Sequence, residues 1–243
     1  NILTVCLLLS VSLPLLAQFS EAENVIRQME NKEVFPSAFV RGKLIIHDRF
    51  GEKTSGFDSY SLGSDYSLIE FTSVEEFGQK ILRSNDDIYI YYPDAEEVIR
   101  LFGSALGDGI LGSDASYEDL TGERSLLDDY EVTAFHIETQ DAGGELYRIE
   151  LKAKKASVPY PRQIIWIDDN LNGVSAEKYS LSNRLIKEES VLDFQNIGKY
   201  TVPVHIRIDD TLKKNSYTEF IIDDIEPDYP LDIDFFSIDE LTW

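Results

Sequence analysis

The sequence predicts a mainly β (α+β) fold: about eleven antiparallel strands in a twisted sheet that curls towards a barrel, with two helical pieces added to it. Three observations lead there. Apolar residues recur at every second position through most of the 243 residues, the runs are short and divided by turn-forming residues, and thirteen tyrosines and thirteen phenylalanines supply the aromatic excess that half-buried pleated surfaces favour.

Strand runs fall at 38–47, 55–62, 67–72, 79–84 and 88–92, separated by Gly51, Gly63, Gly78 and the Asn85-Asp86-Asp87 turn. A further run at 96–103 leads into a segment that does not alternate. Gly107, Gly109 and Gly112 break the chain there, and residues 110–120 read as a short helical turn laid against the sheet as a plug. Ser113 or Ser116 caps it, Asp114, Glu118 and Asp119 lie near its N-terminus, and Ile110, Leu111, Tyr117 and Leu120 give it an apolar face.

Beyond the plug, 131–139 and 145–153 flank Asp141-Ala142-Gly143-Gly144, and 163–167 and 176–179 flank another turn. Runs at 185–193, 200–208 and 217–223 complete the series. Tyr200, Val202, Val204, Ile206 and Ile208 share one face of their run, as Tyr147, Ile149 and Leu151 do in theirs. Periodicity leaves open whether the interior they face is solid or hollow.

The first seventeen residues, NILTVCLLLSVSLPLLA, form an apolar run closed by the small residue Ala17, and the polar QFSEAEN follows. This is the pattern of a signal-peptide core and cleavage site, without the basic segment because the chain begins at Asn1. The expectation is export with cleavage of residues 1–17. Residues 18–243 then form one domain, because no Pro/Gly/Ser-rich linker divides them. Cys6 lies inside the apolar run, so the exported chain would carry no thiol. Next, 20–32 reads as an amphipathic helix, with Ser20 and Glu23 at capping-box spacing and Ala22, Val25, Ile26 and Met29 as its stripe.

A formal charge of −23 makes nucleic acid and anionic bilayers poor partners, and Lys152, Lys154, Lys155 and Arg162 form the one basic cluster. Residues 107–112 match G-x-G-x-x-G by letter but lack the parallel βαβ setting that a dinucleotide requires, so they read as a flexible loop. Residues 168–173 open like a calcium loop, yet the twelfth position is Tyr179 rather than Glu; a hairpin turn using Asn and Gly at positive φ explains the same letters. His47, His136 and His205 are far apart and read as ordinary strand residues, and no catalytic residue, metal ligand or cofactor is assigned. The acidic tail from Asp223 to Glu240, with Phe235, Phe236 and Ile238 in it and Leu241 and Trp243 after it, reads as cover for a sheet edge.

The plug also carries a resemblance. Gly112, Ser113, Asp114, Ser116, Tyr117, Glu118, Asp119 and Leu120, downstream of Asp87, Tyr91 and Pro93, resemble the outer-membrane lipoprotein-sorting protein family, the LolA-like periplasmic carriers. Residues 67–71 (SLIEF), 80–84 (KILRS) and 162–168 (RQIIWID) extend the likeness. Thr72, Ser73 and Val74 stand where that family usually has a proline, and Tyr89 where it often has a tryptophan.

The resemblance implies an incomplete antiparallel β-barrel with helices over its opening, a periplasmic location, and a non-enzymatic carrier whose apolar trough receives acyl chains of lipoproteins or lipids. Trough positions would be Ile69, Phe71, Ile88, Ile90, Tyr147, Ile149, Leu151, Val202, Val204 and Ile206. Val25, Ile26, Met29, Tyr117 and Leu120 would form the lid. Besides the acyl chains, an inner-membrane transporter or an outer-membrane acceptor would be a partner, and the protein would be a monomer. The alternative is an envelope sensor domain on the same scaffold that binds a partner protein; a lipid hydrolase lacks a recognisable nucleophile and base.

Overall fold

Short turns between strands force neighbours to run antiparallel, and every strand pairing in the computed structural model does so. The structure describes residues 2–121, 125–140 and 143–242, with side chains from residue 17 onward. Six strands precede the plug: β1 (Ser37–Asp48), β2 (Gly51–Leu62), β3 (Tyr66–Phe71), β4 (Lys80–Ser84), β5 (Asp87–Tyr92) and β6 (Glu97–Leu101). Seven follow it: β7 (Tyr130–Thr139), β8 (Glu145–Ala153), β9 (Arg162–Asp168), β10 (Gly173–Tyr179), β11 (Leu185–Ile197), β12 (Tyr200–Asp210) and β13 (Tyr217–Pro227). The described residues thus contain thirteen strands rather than about eleven.

All thirteen form one sheet, ordered β6-β5-β4-β3-β2-β1-β13-β12-β11-β10-β9-β8-β7. Each half is a meander of hairpins, and the halves join where β1 pairs with β13, from Ala38↔Pro227 to His47↔Tyr217. β6 and β7 remain edges, so the sheet curls without closing. Residues 141 and 142 of the expected hairpin loop lie outside the described residues; its last rung is Thr139↔Glu145.

Two elements cover the inner face. Helix α1 (Ile2–Glu33) is continuous, so it does not begin at Ser20 as its capping-box spacing suggests. With helix on both sides, Ser20 has no free N–H groups to cap, and Glu23 instead pairs with Arg27 one turn later at 3.2 Å. The expected stripe is real: Ala22, Val25, Ile26 and Met29 bury against Val132, Phe135, Ile149, Leu151, Ile165 and Ile167. Gln18 Nε2 donates to the Phe135 carbonyl on edge strand β7 at 2.7 Å. Residues 1–16 of the apolar leader, Cys6 included, lie outside the described side chains. Among the described residues no helix is long and apolar enough to cross a membrane.

The plug covers the other half. Ile110 and Leu120 sit with Leu44, Ile46, Phe57, Ile69, Phe71, Ile81 and Ile88, and the partly buried Leu111 and Tyr117 pack beside them. Helices α2 (Tyr117–Thr121) and α3 (Leu126–Asp129) lead from it to β7.

The C-terminal tail lies over an outer face, not over an edge as expected. A 3-10 turn (Ile233–Phe236) and helix α4 (Ile238–Leu241) place Phe236 and Leu241 on Leu68 of β3 and Leu82 of β4. Those strands are apolar on both faces, so burying the second face removes more apolar surface from water than shielding an edge would. Trp243 lies outside the described residues.

Candidate functional site

The plug is held by its acids. Asp114 accepts from Lys213 Nζ at 2.6 Å and from Ser216 Oγ at 2.9 Å, and its backbone N–H donates to Thr218 Oγ1 at 2.8 Å. Glu118 reaches Arg83 on β4 at 2.7 Å. Asp119 is fastened to β10 and β11: Lys178 Nζ lies 2.8 Å from Oδ1, and Lys187 Nζ bonds Oδ2. The S-x-x-D spacing also makes a reciprocal cap, in which Asp119 N donates to Ser116 Oγ at 3.1 Å and Ser116 N to Asp119 Oδ2 at 2.7 Å. Tyr160 closes the network, donating to Ser116 Oγ at 3.0 Å and accepting from Lys187 at 2.9 Å. Both lysines also lie over its ring, at 4.8 and 5.3 Å from the centroid.

Burial alone would raise the Asp119 pKa, but the two ammonium groups outweigh it and hold the carboxyl well below the usual range. Burial pushes the Tyr160 hydroxyl up, and the Asp119 charge adds to the push. The glycines that mimic a dinucleotide motif serve this loop. A Cβ on Gly109 would stand 2.3 Å from the Ser113 carbonyl oxygen, and Gly112 turns at φ +80°.

Between the plug and α1, over the inner face of β9–β13, lies a cavity of about 260 Å³. Its floor includes Ile165, Ala176, Val191, Ile206, Ile208 and Phe220; Met29, Glu33, Ala115, Leu120 and Leu126 roof it, and Asp119, Lys178 and Glu189 stand in its wall. Glu33 also borders a second apolar space of about 220 Å³ beside Phe35, Ala38, Val40, Val202 and Ile225. Burial raises Glu33 to about 7, against one long hydrogen bond of 3.4 Å from Gly173 N. A third, more polar cavity of about 270 Å³ lies near the gap between the two edges, lined by Leu101 at the end of β6 and Phe102 after it, and by Asp129 at the end of α3 and Tyr130 at the start of β7.

The expected trough residues do not gather around one space. Ile69, Phe71 and Ile88 are buried under the plug, and Ile149 and Leu151 under α1 with Tyr147 partly buried beside them. Ile90 is buried, and Val202 packs with Phe35 and Ala38. Val204 sits at a bulge, because Asp193 pairs with His205 and Phe194 with Pro203, leaving Val204 unpaired and half-buried. Ile206 lines the main cavity. Of the lid residues, Met29 and Leu120 reach it, whereas Val25 and Ile26 bury between α1 and the sheet and Tyr117 packs, partly buried, against the plug cluster.

Lys178, Lys187, Glu189 and Glu33 carry no motif by which sequence reasoning could have found them; for the three strand residues, period-two placement beside apolar positions was the available signal, and Glu33 ends α1. The basic cluster is spent locally: Lys152 meets Glu131 at 3.3 Å, Lys155 meets Asp129 at 3.0 Å, Arg162 meets Glu150 at 3.2 Å, and Lys154 donates to the Leu127 carbonyl at 2.6 Å. The calcium-like loop is the β9–β10 turn, but its positive φ belongs to Leu171 (62°) rather than to an asparagine or glycine. Gly173 serves instead for close approach, since a Cβ there would meet Met29 Sδ of α1 at 3.1 Å. Sheet order brings His47 and His205 onto the two oxygens of Glu219, at 3.1 and 2.9 Å. No group of three or more His, Cys, Asp or Glu among the described residues is placed to hold a metal ion.

Three solved structures share this architecture over nearly their whole length. A DUF1329 family protein from Desulfovibrio piger is 23% identical at a TM-score of 0.82, covering 92% of this chain and 99% of its own. A putative outer membrane lipoprotein-sorting protein domain from Vibrio parahaemolyticus is 18% identical at 0.82, covering 91% and 98%. A LolA superfamily protein from Nitrosomonas europaea is 24% identical at 0.78, covering 90% and 98%. No curated protein matches. Residues 63–243 match a family model whose members are described as uncharacterized proteins. The chain therefore belongs to that family of uncharacterized proteins, and its fold is the one seen in the outer membrane lipoprotein-sorting protein domain and the LolA superfamily protein.

Proposed function

We propose that this protein is an exported carrier that binds acyl chains of lipoproteins or lipids in the envelope and hands them on without covalent chemistry. The carrying observation is the apolar cavity of about 260 Å³, floored by β9–β13 and roofed by two separately anchored elements. Concave, mostly apolar space with a few placed polar groups is the usual form of a small-molecule site. That volume falls just below the roughly 300–1,000 Å³ typical of ligand pockets, so a bulky lipid requires the plug or α1 to move, while part of one chain fits as the structure stands. The apolar leader ending at Ala17 and the fold shared with lipoprotein-sorting domains support a periplasmic location. A donor or acceptor in the envelope, a monomeric state and residues 18–243 as one mature domain complete the proposal.

The test is mass spectrometry of organic extracts from the purified mature protein. Co-purifying acyl lipids in stoichiometric amount are expected. A protein that extracts empty and fails to take up a fluorescent acyl probe would overturn the reading.

A further inference from the structure

The turns at the two ends of the sheet differ. At the end where β1 turns into β2, four turns that are consecutive in sheet order carry exposed apolar side chains: Val74 and Phe77 between β3 and β4, Phe50 between β1 and β2, Leu212 between β12 and β13, and Leu181 between β10 and β11. Their exposure runs from 52% at Leu212 to 95% at Val74. Lys53 of β2 meets Glu75 at 3.0 Å, which brings the β3–β4 loop up beside the β1–β2 turn. Among the described residues, the hairpin turns at the opposite end carry no exposed large apolar residue.

The charges on these four turns are sorted as well. Asp48 accepts from the backbone of its own turn, at 2.7 Å from Phe50 N, and Glu75 and Glu76 both meet Lys53. Arg49, Arg184 and Lys214, by contrast, are exposed and pair with no carboxylate among the described residues. Each stands within three residues of an apolar tip. The next turn, β5–β6, has Asp94 and Glu96 and no exposed large apolar residue, so the face ends there.

Neighbouring strands lie about 4.8 Å apart, so the tips of adjacent hairpins stand roughly 10 Å apart along this rim. Side chains so spaced do not merge into the dry core of a protein–protein interface. Each can instead enter separately a surface that deforms around it, with the cation beside it reaching a phosphate, which is the chemistry of a bilayer interface. We propose that this rim docks on a phospholipid membrane, with Phe50, Val74, Phe77, Leu181 and Leu212 entering the headgroup boundary and Arg49, Arg184 and Lys214 meeting lipid phosphates. The net charge of −23 opposes lasting attachment, so the docking is shallow and reversible. The plug is fastened at the same rim, through Lys213 and Ser216 of the β12–β13 turn on Asp114. A docked rim therefore sets one roof element of the main cavity beside the membrane.

Co-sedimentation of the purified mature protein, free of the apolar leader, with vesicles of phosphatidylethanolamine and phosphatidylglycerol tests it. Wild type is compared with the double variants Phe50→Ser with Phe77→Ser and Arg49→Ser with Lys214→Ser, and with Phe102→Ser, an exposed ring at the other end of the sheet. All five side chains are exposed, so the variants should melt as wild type does. Wild type is expected to partition onto the vesicles. Loss of the two rings, or of the two cations, should each weaken partitioning about tenfold or more, and Phe102→Ser should leave it unchanged. No partitioning by wild type, or equal losses in Phe102→Ser and the two-ring variant, would overturn the proposal. So would a lipid-free dimer that the two-ring variant dissociates, which would assign the rim to a second copy of the chain. Ala176→Phe, which fills the main cavity, should partition as wild type does; a loss there would mean that lipid is held through the cavity and would overturn docking by the rim, while acyl binding stands.

Discussion

Asp119 bridges two lysines from adjacent strands to a helix one turn long, and all three groups are buried. Removing one member of such a network leaves charges with no water to solvate them. Asp119→Ala is therefore expected to cost about 3–5 kcal/mol in urea denaturation, far more than substitution of the exposed Glu131. At Glu33 the sign of the pH dependence is reversed from that of an ordinary ion-paired acid. Its folded-state pKa of about 7 exceeds the ordinary carboxyl value of 4.5, so the native state keeps the proton longer than the unfolded chain does. The contribution favours folding at low pH and is lost as pH rises from 4.5 to 7. Thermal melts at pH 5 and pH 8 should show Glu33→Gln removing roughly 3–8 °C of the fall that wild type undergoes; an identical fall in the variant would contradict the assignment. These acids were legible as letters but not as partners. Hydrophobic period marks where apolar groups face, and it is silent on which lysine of another strand meets a carboxylate.

At the scale of elements the strands were legible, because alternation and short turns are local and each half of the sheet is a meander. The stripe on α1 was legible for the same reason, whereas its start was not: capping-box spacing signals an N-terminus only where free N–H groups await a cap, and at Ser20 the helix is already running. Glycine was the hardest letter to assign. Gly109 is required by a close backbone approach and Gly173 by the passage of α1, and neither contact is local in period. Gly109→Ala, which would drive a Cβ into the Ser113 carbonyl, is expected to loosen the plug and to cost about 1–3 kcal/mol. Limited proteolysis should then cut near residues 107–121 faster than in wild type, and an unchanged cutting rate would argue against a packed plug. The tail gives a second element-level test. Phe236→Ala empties a site on the outer face of β3 and β4 and should cost about 3 kcal/mol in denaturant titration without altering acyl-probe affinity.

At the scale of the whole molecule, what sequence left open was whether the interior is hollow and where. The expected trough residues are dispersed: Ile69, Phe71 and Ile88 lie under the plug, Ile149 and Leu151 under α1, and Ile206 in the cavity. The cavity lies instead where the roof elements part, over strands whose inner faces mix apolar residues with Lys178 and Glu189, a mixture that weakens the alternation signal. Contacts such as β1 with β13, or His47 and His205 on Glu219, join residues from opposite ends of the chain, and they follow from sheet order rather than from any local pattern. The most direct measurement is a fluorescent acyl-probe titration of wild type beside Ala176→Phe, which fills the cavity from its floor. Wild type should bind saturably, and the variant should lose about tenfold or more in affinity while its melting temperature stays within about 5 °C, because the added ring enters existing space. A folded Ala176→Phe protein that binds the probe as wild type does would contradict the placement of the acyl site between the plug and α1.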